Sequence, residues 1–185
     1  ALLYFDDLKN TGEAAALLRD AGASMIEIIE KTILDLARQR WPELEPYIPL
    51  GVEVVFFIEF QGDDEKELET KIDRVESALV KEGHLAISMR RARTAEERRN
   101  LIRVRKASGP VLNRTPGKKK AIAFIEDAAV HPRKLSEYLA GLREILRKYD
   151  VQAGIYGHAG DGNLHVMPLL DLSDPDDIKK MHMIA

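Results

Sequence analysis

The segment "VEVVFFIEF", residues 52–60, constrains the fold of this chain most. Its apolar residues run almost without interruption, and most of them are β-branched or aromatic. A run of this length and composition predicts a central β-strand that is covered on both faces. We expect one face to meet the helices of its own unit, and the other to meet either the other half of the chain or a domain outside these residues.

The order of predicted strands and helices repeats along the chain. Residues 1–90 give strand, helix, strand, strand, helix, strand, with one extra helix before the central strand. After a basic helix and a loop rich in Pro, Gly and Lys, a second series gives strand, helix, strand, strand, helix. This order predicts an α+β fold of two ferredoxin-like (βαββαβ) halves with antiparallel sheets and helices on one face. We place the halves at 1–105 and 106–185, with the second half truncated before its last strand.

Composition excludes several classes of protein. Apolar residues make up 45% of the chain, which is enough for a core, and no apolar run is long enough to span a membrane. Cysteine is absent, so disulfides and thiolate metal sites are excluded within these residues. We expect a cytoplasmic location, or one peripheral to the membrane. The first residue is not Met and the last ones lie in a predicted helix, so we expect a piece of a longer protein.

Positive charge is concentrated between residues 90 and 120, where only two carboxylates oppose it. The cations are Arg90, Arg91, Arg93, Arg98, Arg99, Arg103, Arg105, Lys106, Arg114, Lys118, Lys119 and Lys120. A solvated helix face and an anion-binding site both stay open as interpretations. Nucleic-acid binding is not favoured, because no aromatic residues are interleaved with these cations and no reader motif is present.

Two histidines bracket a glycine-rich turn in "YGHAGDGNLH", residues 156–165. In a hairpin, Tyr156 and His158 share one face of the incoming strand, and His165 and Met167 share one face of the outgoing strand. A tight turn can bring the two imidazoles together, and two neutral imidazoles suit a divalent metal. A third protein ligand is expected at a catalytic metal, and none is obvious in the chain.

The spacing of the motif alone leaves a simpler interpretation open. "GDGN" can be only a turn, and the histidines only hydrogen-bonding residues beside it. A phosphate-binding loop is disfavoured because no helix follows the glycines, and the motif is too short for an EF-hand. Glu126 and Asp127, on the preceding predicted strand, are candidates for contacting the metal ligands without binding the metal themselves.

The motif resembles one found in the FAD-linked oxidases of 2-hydroxy acids, which belong to the flavoprotein superfamily of vanillyl-alcohol oxidase. These enzymes include D-lactate dehydrogenases, the large subunit of glycolate oxidase and D-2-hydroxyglutarate dehydrogenases. The segments "ALLYFDDL", "VEVVFFIEFQGDDEKE" and "FIEDAAVHPRKLSEYL" resemble the same family in the same order. The resemblance covers essentially the whole chain and implies the C-terminal cap domain, which is built from two ferredoxin-like halves.

The resemblance implies a function for the longer protein. The chain would be the substrate-binding cap of a flavin-dependent dehydrogenase or oxidase of D-2-hydroxy acids, and would be inactive by itself. FAD would be bound mainly by a domain before Ala1, the catalytic base would lie after Ala185, and an electron-acceptor subunit is an expected partner. His158 and His165 would bind a divalent metal, zinc or manganese.

The resemblance also implies the substrate contacts. Asn163 would shape the substrate pocket, and Arg105, rather than Arg103, would clamp the substrate carboxylate. Many relatives have Asn two residues after the second histidine, where this chain has Met167. The remaining histidines, His84, His131 and His182, are interpreted as surface or helix-end residues.

Two alternatives come from other classes of function. One is a non-catalytic ferredoxin-like module that binds a ligand or assembles subunits, and it would need no flavin domain upstream. The other is a metal-dependent hydrolase built around His158 and His165, and it would need further carboxylates converging on the metal within this chain.

Overall fold

The computed structural model describes all 185 residues, which form eight strands and seven helices. In chain order they are β1 (Leu2–Phe5), α1 (Thr11–Asp20), β2 (Met25–Glu30), α2 (Lys31–Arg40), β3 (Val54–Glu59), α3 (Glu65–Glu76), β4 (Ser88–Arg90), α4 (Ala95–Lys106), α5 (Ser108–Asn113), β5 (Lys120–Ala121), β6 (Ile125–Ala129), α6 (Leu135–Lys148), β7 (Ala153–His158), β8 (Asn163–Leu170) and α7 (Pro175–Ile184). Short helical turns occupy Pro42–Tyr47 and Pro132–Lys134, and α3 continues as a π-helical segment, Ser77–Glu82.

The strands form one antiparallel sheet in the order β4-β1-β3-β2-β7-β8-β5, and β6 pairs with β8 along the same edge as β5. The first four strands have the order 4-1-3-2 of a βαββαβ unit, and β6-β8-β7 repeats the first, third and second strands of that unit. The predicted α+β class is therefore confirmed. The two series do not form separate sheets, however, because β2 pairs with β7 and makes the sheet continuous.

Both faces of the sheet are covered by helices of this chain. On one face α1, α3 and α6 pack over a core that includes Leu3, Phe56 and Ile155. On the other face α2, α4 and α5 pack over a second core that includes Val55 and Phe57. The helices of the repeated units thus share one face as predicted. The second face of the central strand is covered by α2 and α4 of the first half and by α5 and Leu169 of the second half, so one of the two coverings that the sequence left open, the other half, is present.

The helix beginnings follow the local sequence. The Asp64 carboxylate accepts hydrogen bonds from the backbone N–H groups of Lys66 and Glu67 at the start of α3. Thr94 and Glu97 form the predicted capping box of α4. None of the helices is both long enough and apolar enough to cross a membrane.

The predicted strand "AIAFIEDAAV" is broken into β5 and β6. Both pair with β8, on either side of Pro168. Proline has no N–H to donate to the ladder, so pairing is weakened at that residue. A register shift between Ile125 and Ala128 adds a bulge, in which Asp127 has a φ of 54°. The bulge changes the direction of the side chains at 126 and 127, directly beside the histidine motif.

Candidate functional site

The hairpin of β7 and β8 places the two histidines on one face of the sheet. Tyr156 is opposite His165 in the ladder, and His158 is opposite Asn163. The histidines are therefore diagonal neighbours, and their ring centroids lie 5.7 Å apart in an edge-to-face arrangement. This face is the one covered by α2, α4 and α5. The predicted approach of the two imidazoles is thus present in the structure.

Two glycines of the motif allow the strands and the turn to come this close. Gly157 has a φ of 151°, and a Cβ there would lie 2.5 Å from the carbonyl oxygen of Asn163. Gly162 has a φ of 68°, and a Cβ there would lie 1.7 Å from the carbonyl oxygen of Val130. No other residue type fits either position without moving backbone. The glycines are required by close backbone contacts, which the sequence alone could not distinguish from a flexible turn.

Each histidine is held by a carboxylate through Nδ1. The distance from His158 Nδ1 to Glu27 Oε1 is 2.7 Å, and that from His165 Nδ1 to Glu126 Oε2 is 2.6 Å. An ionised carboxylate can only accept a hydrogen bond, so Nδ1 of each neutral imidazole carries the proton and donates it. The Nε2 atom of each ring is then left with its lone pair. This carboxylate–histidine arrangement is the one that orients metal-binding histidines in proteins.

The histidine pair meets the donor chemistry of a metal site, but the third ligand is not found beside it. Carboxylates of Glu126 and Asp127 and a ring nitrogen of His165 do lie within 4.8 Å of one another. His158 is not part of that group, and both carboxylates are exposed. The two imidazoles would suit a metal only together with a ligand from elsewhere, with the carboxylates orienting the rings and not binding the metal.

Arg105, on helix α4, lines a cavity together with both histidines. Its Nη2 atom is 3.4 Å from Glu27 Oε2, and its Nε atom is enclosed by protein without a hydrogen-bond partner. Arg103, the other candidate, instead forms an ion pair with Glu43 at 2.7 Å. A buried guanidinium N–H without a partner is rare in folded proteins and calls for an explanation.

Asn163 contributes a second unsatisfied polar atom. Its Nδ2 atom donates to Asp127 at 3.4 Å, while its Oδ1 atom is buried without a partner. Tyr156 packs against His165 with ring centroids 5.1 Å apart. Burial, and then the negative charge of Glu126, raise the pKa of the Tyr156 phenol, so the hydroxyl stays protonated at neutral pH. Polar groups of several types thus share this face with the histidines.

Sequence reasoning missed Glu27, which contacts both His158 and Arg105. The sequence does show a carboxylate inside the otherwise apolar strand "MIEIIE". The structure shows that this carboxylate is buried. A buried carboxylate needs a partner, but the local sequence does not indicate which one. The partner lies 131 residues away along the chain.

Two cavities open around these residues. One has a volume of about 430 Å³ and reaches from the motif turn towards Arg19. The other, of about 240 Å³, extends over His165 and Tyr156. Three residues line both cavities, namely Glu27, Arg105 and His158. The histidines predicted to bind a metal and the arginine predicted to bind a carboxylate therefore face a common space with room for a small molecule.

Known proteins with similar sequences match most or nearly all of this chain. A D-2-hydroxyglutarate dehydrogenase from Pantoea ananatis is 29% identical over 99% of this chain and 19% of its own length. One from Pseudomonas putida is 32% identical over 85% of this chain and 17% of its own length. Glycolate oxidase subunit GlcD of Bacillus subtilis is 29% identical over 94% of this chain and 36% of its own length. This chain thus spans a minor part of each of these relatives.

The fold is also found in a solved structure, 4-ethylphenol oxidase from Gulosibacter chungangensis. It superposes with a TM-score of 0.62 over 99% of this chain and 41% of that protein, at 16% identity. The family described as FAD linked oxidases, C-terminal domain, matches residues 1–185. The resemblance seen in the sequence is therefore confirmed, and the chain belongs to the family of C-terminal domains of FAD linked oxidases.

Proposed function

We propose that this chain is the substrate-binding cap of a flavin-dependent dehydrogenase or oxidase of small D-2-hydroxy acids. The substrate would be D-2-hydroxyglutarate, glycolate, D-lactate or a similar acid, as the names of the relatives suggest. In the longer protein, FAD is bound mainly by a domain before residue 1. A separate subunit that accepts electrons is a further proposed partner. The family match favours this function over a non-catalytic module and over a hydrolase.

One observation carries the proposal. Arg105 lines the same cavity as two histidines, and each histidine is oriented by a carboxylate. A 2-hydroxy acid offers a carboxylate and a neighbouring hydroxyl. Arg105 suits the carboxylate, because a guanidinium can pair with it through two parallel hydrogen bonds. Its side chain is 32% exposed and lines both cavities, which supports this role. His158 and His165 have Nε2 lone pairs available, so they suit a divalent cation. That cation would bind the hydroxyl of the substrate.

The remaining polar residues would shape the site. Asn163, which lies beside the turn of the hairpin and opposite His158, is proposed to contact the substrate. Met167 lies on the same face, so the surface there is less polar than it would be with Asn. We further propose that the chain divides into two halves, 1–105 and 106–185, with the second half carrying both histidines and Asn163.

The reaction removes a hydride from C2 and a proton from the hydroxyl, and leaves a 2-oxo acid. The flavin supplies the hydride acceptor, and a divalent metal, when bound, lowers the pKa of the hydroxyl. Residues of this chain would hold the carboxylate through Arg105 and fix the imidazoles of His158 and His165 through Glu27 and Glu126. The proton acceptor is proposed to lie beyond residue 185.

The proposal is tested on the full-length protein under anaerobic conditions. The protein is mixed with a panel of 2-hydroxy acids, each as its D and L form, together with glycolate, and the flavin absorbance is followed. We expect at least one acid to bleach the flavin, with a D form far more effective than its L form. The matched 2-oxo acid serves as a control that should not bleach it. The proposal is wrong if the protein binds flavin and no acid of the panel reduces it.

A further inference from the structure

Glu27 lies at the point where the two parts of the sheet join. In the ladder between β2 and β7 it is directly opposite His158. Its neighbours on the strand, Ile26 and Ile28, are buried on the opposite face in the apolar core. The Glu27 side chain is 11% exposed, so it is a nearly buried charge at the centre of the candidate site. Burying such a charge costs free energy unless neighbouring groups pair with it or donate hydrogen bonds to it.

The two carboxylate oxygens of Glu27 have different partners. Oε1 accepts from Nδ1 of His158 at 2.7 Å, and Oε2 lies 3.4 Å from Nη2 of Arg105. One residue is on the hairpin of the second half, and the other is on helix α4. The carboxylate therefore fixes the direction of both side chains relative to each other. No other residue contacts both of them through charged atoms.

The cavities support the same conclusion. The spaces of about 430 Å³ and about 240 Å³ have only Glu27, Arg105 and His158 in common. These three residues line both spaces. A molecule bound in either space would contact side chains whose position depends on Glu27.

We propose that Glu27 is a positioning residue, which holds the carboxylate-binding arginine and the metal-binding histidine in one arrangement. This inference rests on the proposed function of Arg105 and His158. Replacing Glu27 by Gln keeps its size but leaves one accepting oxygen and adds an NH₂ group. While Nδ1 of His158 carries the proton, the NH₂ group would face a donor on one side whichever way the amide turns, and moving that proton to Nε2 would remove the lone pair that a metal needs. The substitution therefore costs either one of the two contacts or the metal-binding lone pair of His158, and the contact to Arg105 weakens because the charge is gone.

The test compares Glu27→Gln with Glu30→Gln in the full-length protein. Glu30 is the matched control, because it is on the same strand, its side chain is 7% exposed, and it pairs with Arg143 at 2.6 Å. For the acid that bleaches the wild-type flavin, KM and kcat are measured. The metal retained after dialysis against a chelator, the flavin content and the melting temperature are measured as well.

Glu27→Gln is expected to raise KM and to lower the retained metal by about 10- to 100-fold, at unchanged flavin content. Glu30→Gln is expected to lower the melting temperature and to leave KM and metal retention unchanged. Addition of Arg105→Ala to Glu27→Gln should raise KM less than Arg105→Ala does alone, because contacting residues are not additive.

Two outcomes overturn the inference, and they are distinguishable from failure of the proposed function. If Glu27→Gln leaves KM and metal retention as in the wild type, or if Glu30→Gln changes them equally, Glu27 has only a structural role. In those cases Arg105→Ala would still raise KM, and His158→Ala would still lower metal retention. If Arg105→Ala leaves KM unchanged and His158→Ala leaves metal retention unchanged, the proposed site itself is wrong, and so is the proposed role of Glu27.

Discussion

Replacing Gly162 by Ala tests whether the glycine turn is held rigidly by its surroundings. The residue has a φ of 68°, and a Cβ would lie 1.7 Å from the carbonyl oxygen of Val130. The Val130 N–H in turn donates to the carbonyl oxygen of Gly162 at 2.9 Å. The backbone at 130 would have to move by more than 1 Å, roughly, to reach normal contact. That movement would break the hydrogen bond between the two residues.

The magnitude follows from these contacts. A left-handed conformation costs about 1–2 kcal/mol in a residue with a Cβ. Loss of the Val130 hydrogen bond costs about 0.5–1.5 kcal/mol more. With some relief of the clash by backbone movement, we expect Gly162→Ala to destabilise the hairpin by about 2–4 kcal/mol. Amide exchange through opening of residues 153–170 should then be faster by about 30- to 1,000-fold.

Gly160 and Gly141 provide matched controls. A Cβ at Gly160 would meet Ile26 side-chain atoms at 3.2 Å and beyond, which a small movement relieves. Gly141 is exposed on α6 with open space around it, so Gly141→Ala should stabilise that helix by about 0.5–1 kcal/mol. Hydrogen exchange with mass spectrometry on the intact protein measures all three variants. Equal exchange in Gly162→Ala and Gly160→Ala would refute the close contact and leave the turn merely flexible.

Two further predictions concern buried charge. Arg143 joins α6 to the sheet through Glu30 at 2.6 Å, so Arg143→Ala should destabilise the fold by about 2–4 kcal/mol in chemical denaturation, since it leaves a buried carboxylate without its cation. A hydrogen bond from the Asp171 backbone N–H, helped by Lys119, lowers the pKa of Asp177 below its ordinary value. A lowered pKa means that this carboxylate stabilises the fold at neutral pH and ceases to do so as the pH falls through the acid range. Asp177→Asn should therefore lower the melting temperature at pH 7 and converge with the wild type in acid, and a constant difference at all pH values would contradict this.

Local patterns predicted much of the fold. Alternation in the hairpin put Tyr156 and His158 on one face, and the capping box at Thr94 marked the start of α4. These features depend on residues a few positions apart, so the sequence contains them directly. The continuous apolar run at 52–60 likewise predicted a strand with two covered faces.

What the sequence did not predict depends on contacts between distant segments. The pairing of β2 with β7, which makes one sheet of two series, leaves no local pattern in either strand. The same pairing brings Glu27 to His158, and so the central carboxylate was missed. The break at Pro168 was missed for a different reason, because the proline acts on the neighbouring strand and not on its own.

The central claim is that the histidine pair acts on substrate and does not merely support a turn. The most direct measurement is kcat/KM of full-length His165→Ala for the acid that reduces the wild-type flavin. His131→Ala is the control, since that histidine is exposed on the turn before α6. We expect kcat/KM to fall by about a hundredfold or more in His165→Ala, at unchanged flavin content, and to stay near wild type in His131→Ala. Near-normal turnover in His165→Ala with a full complement of flavin would contradict the account.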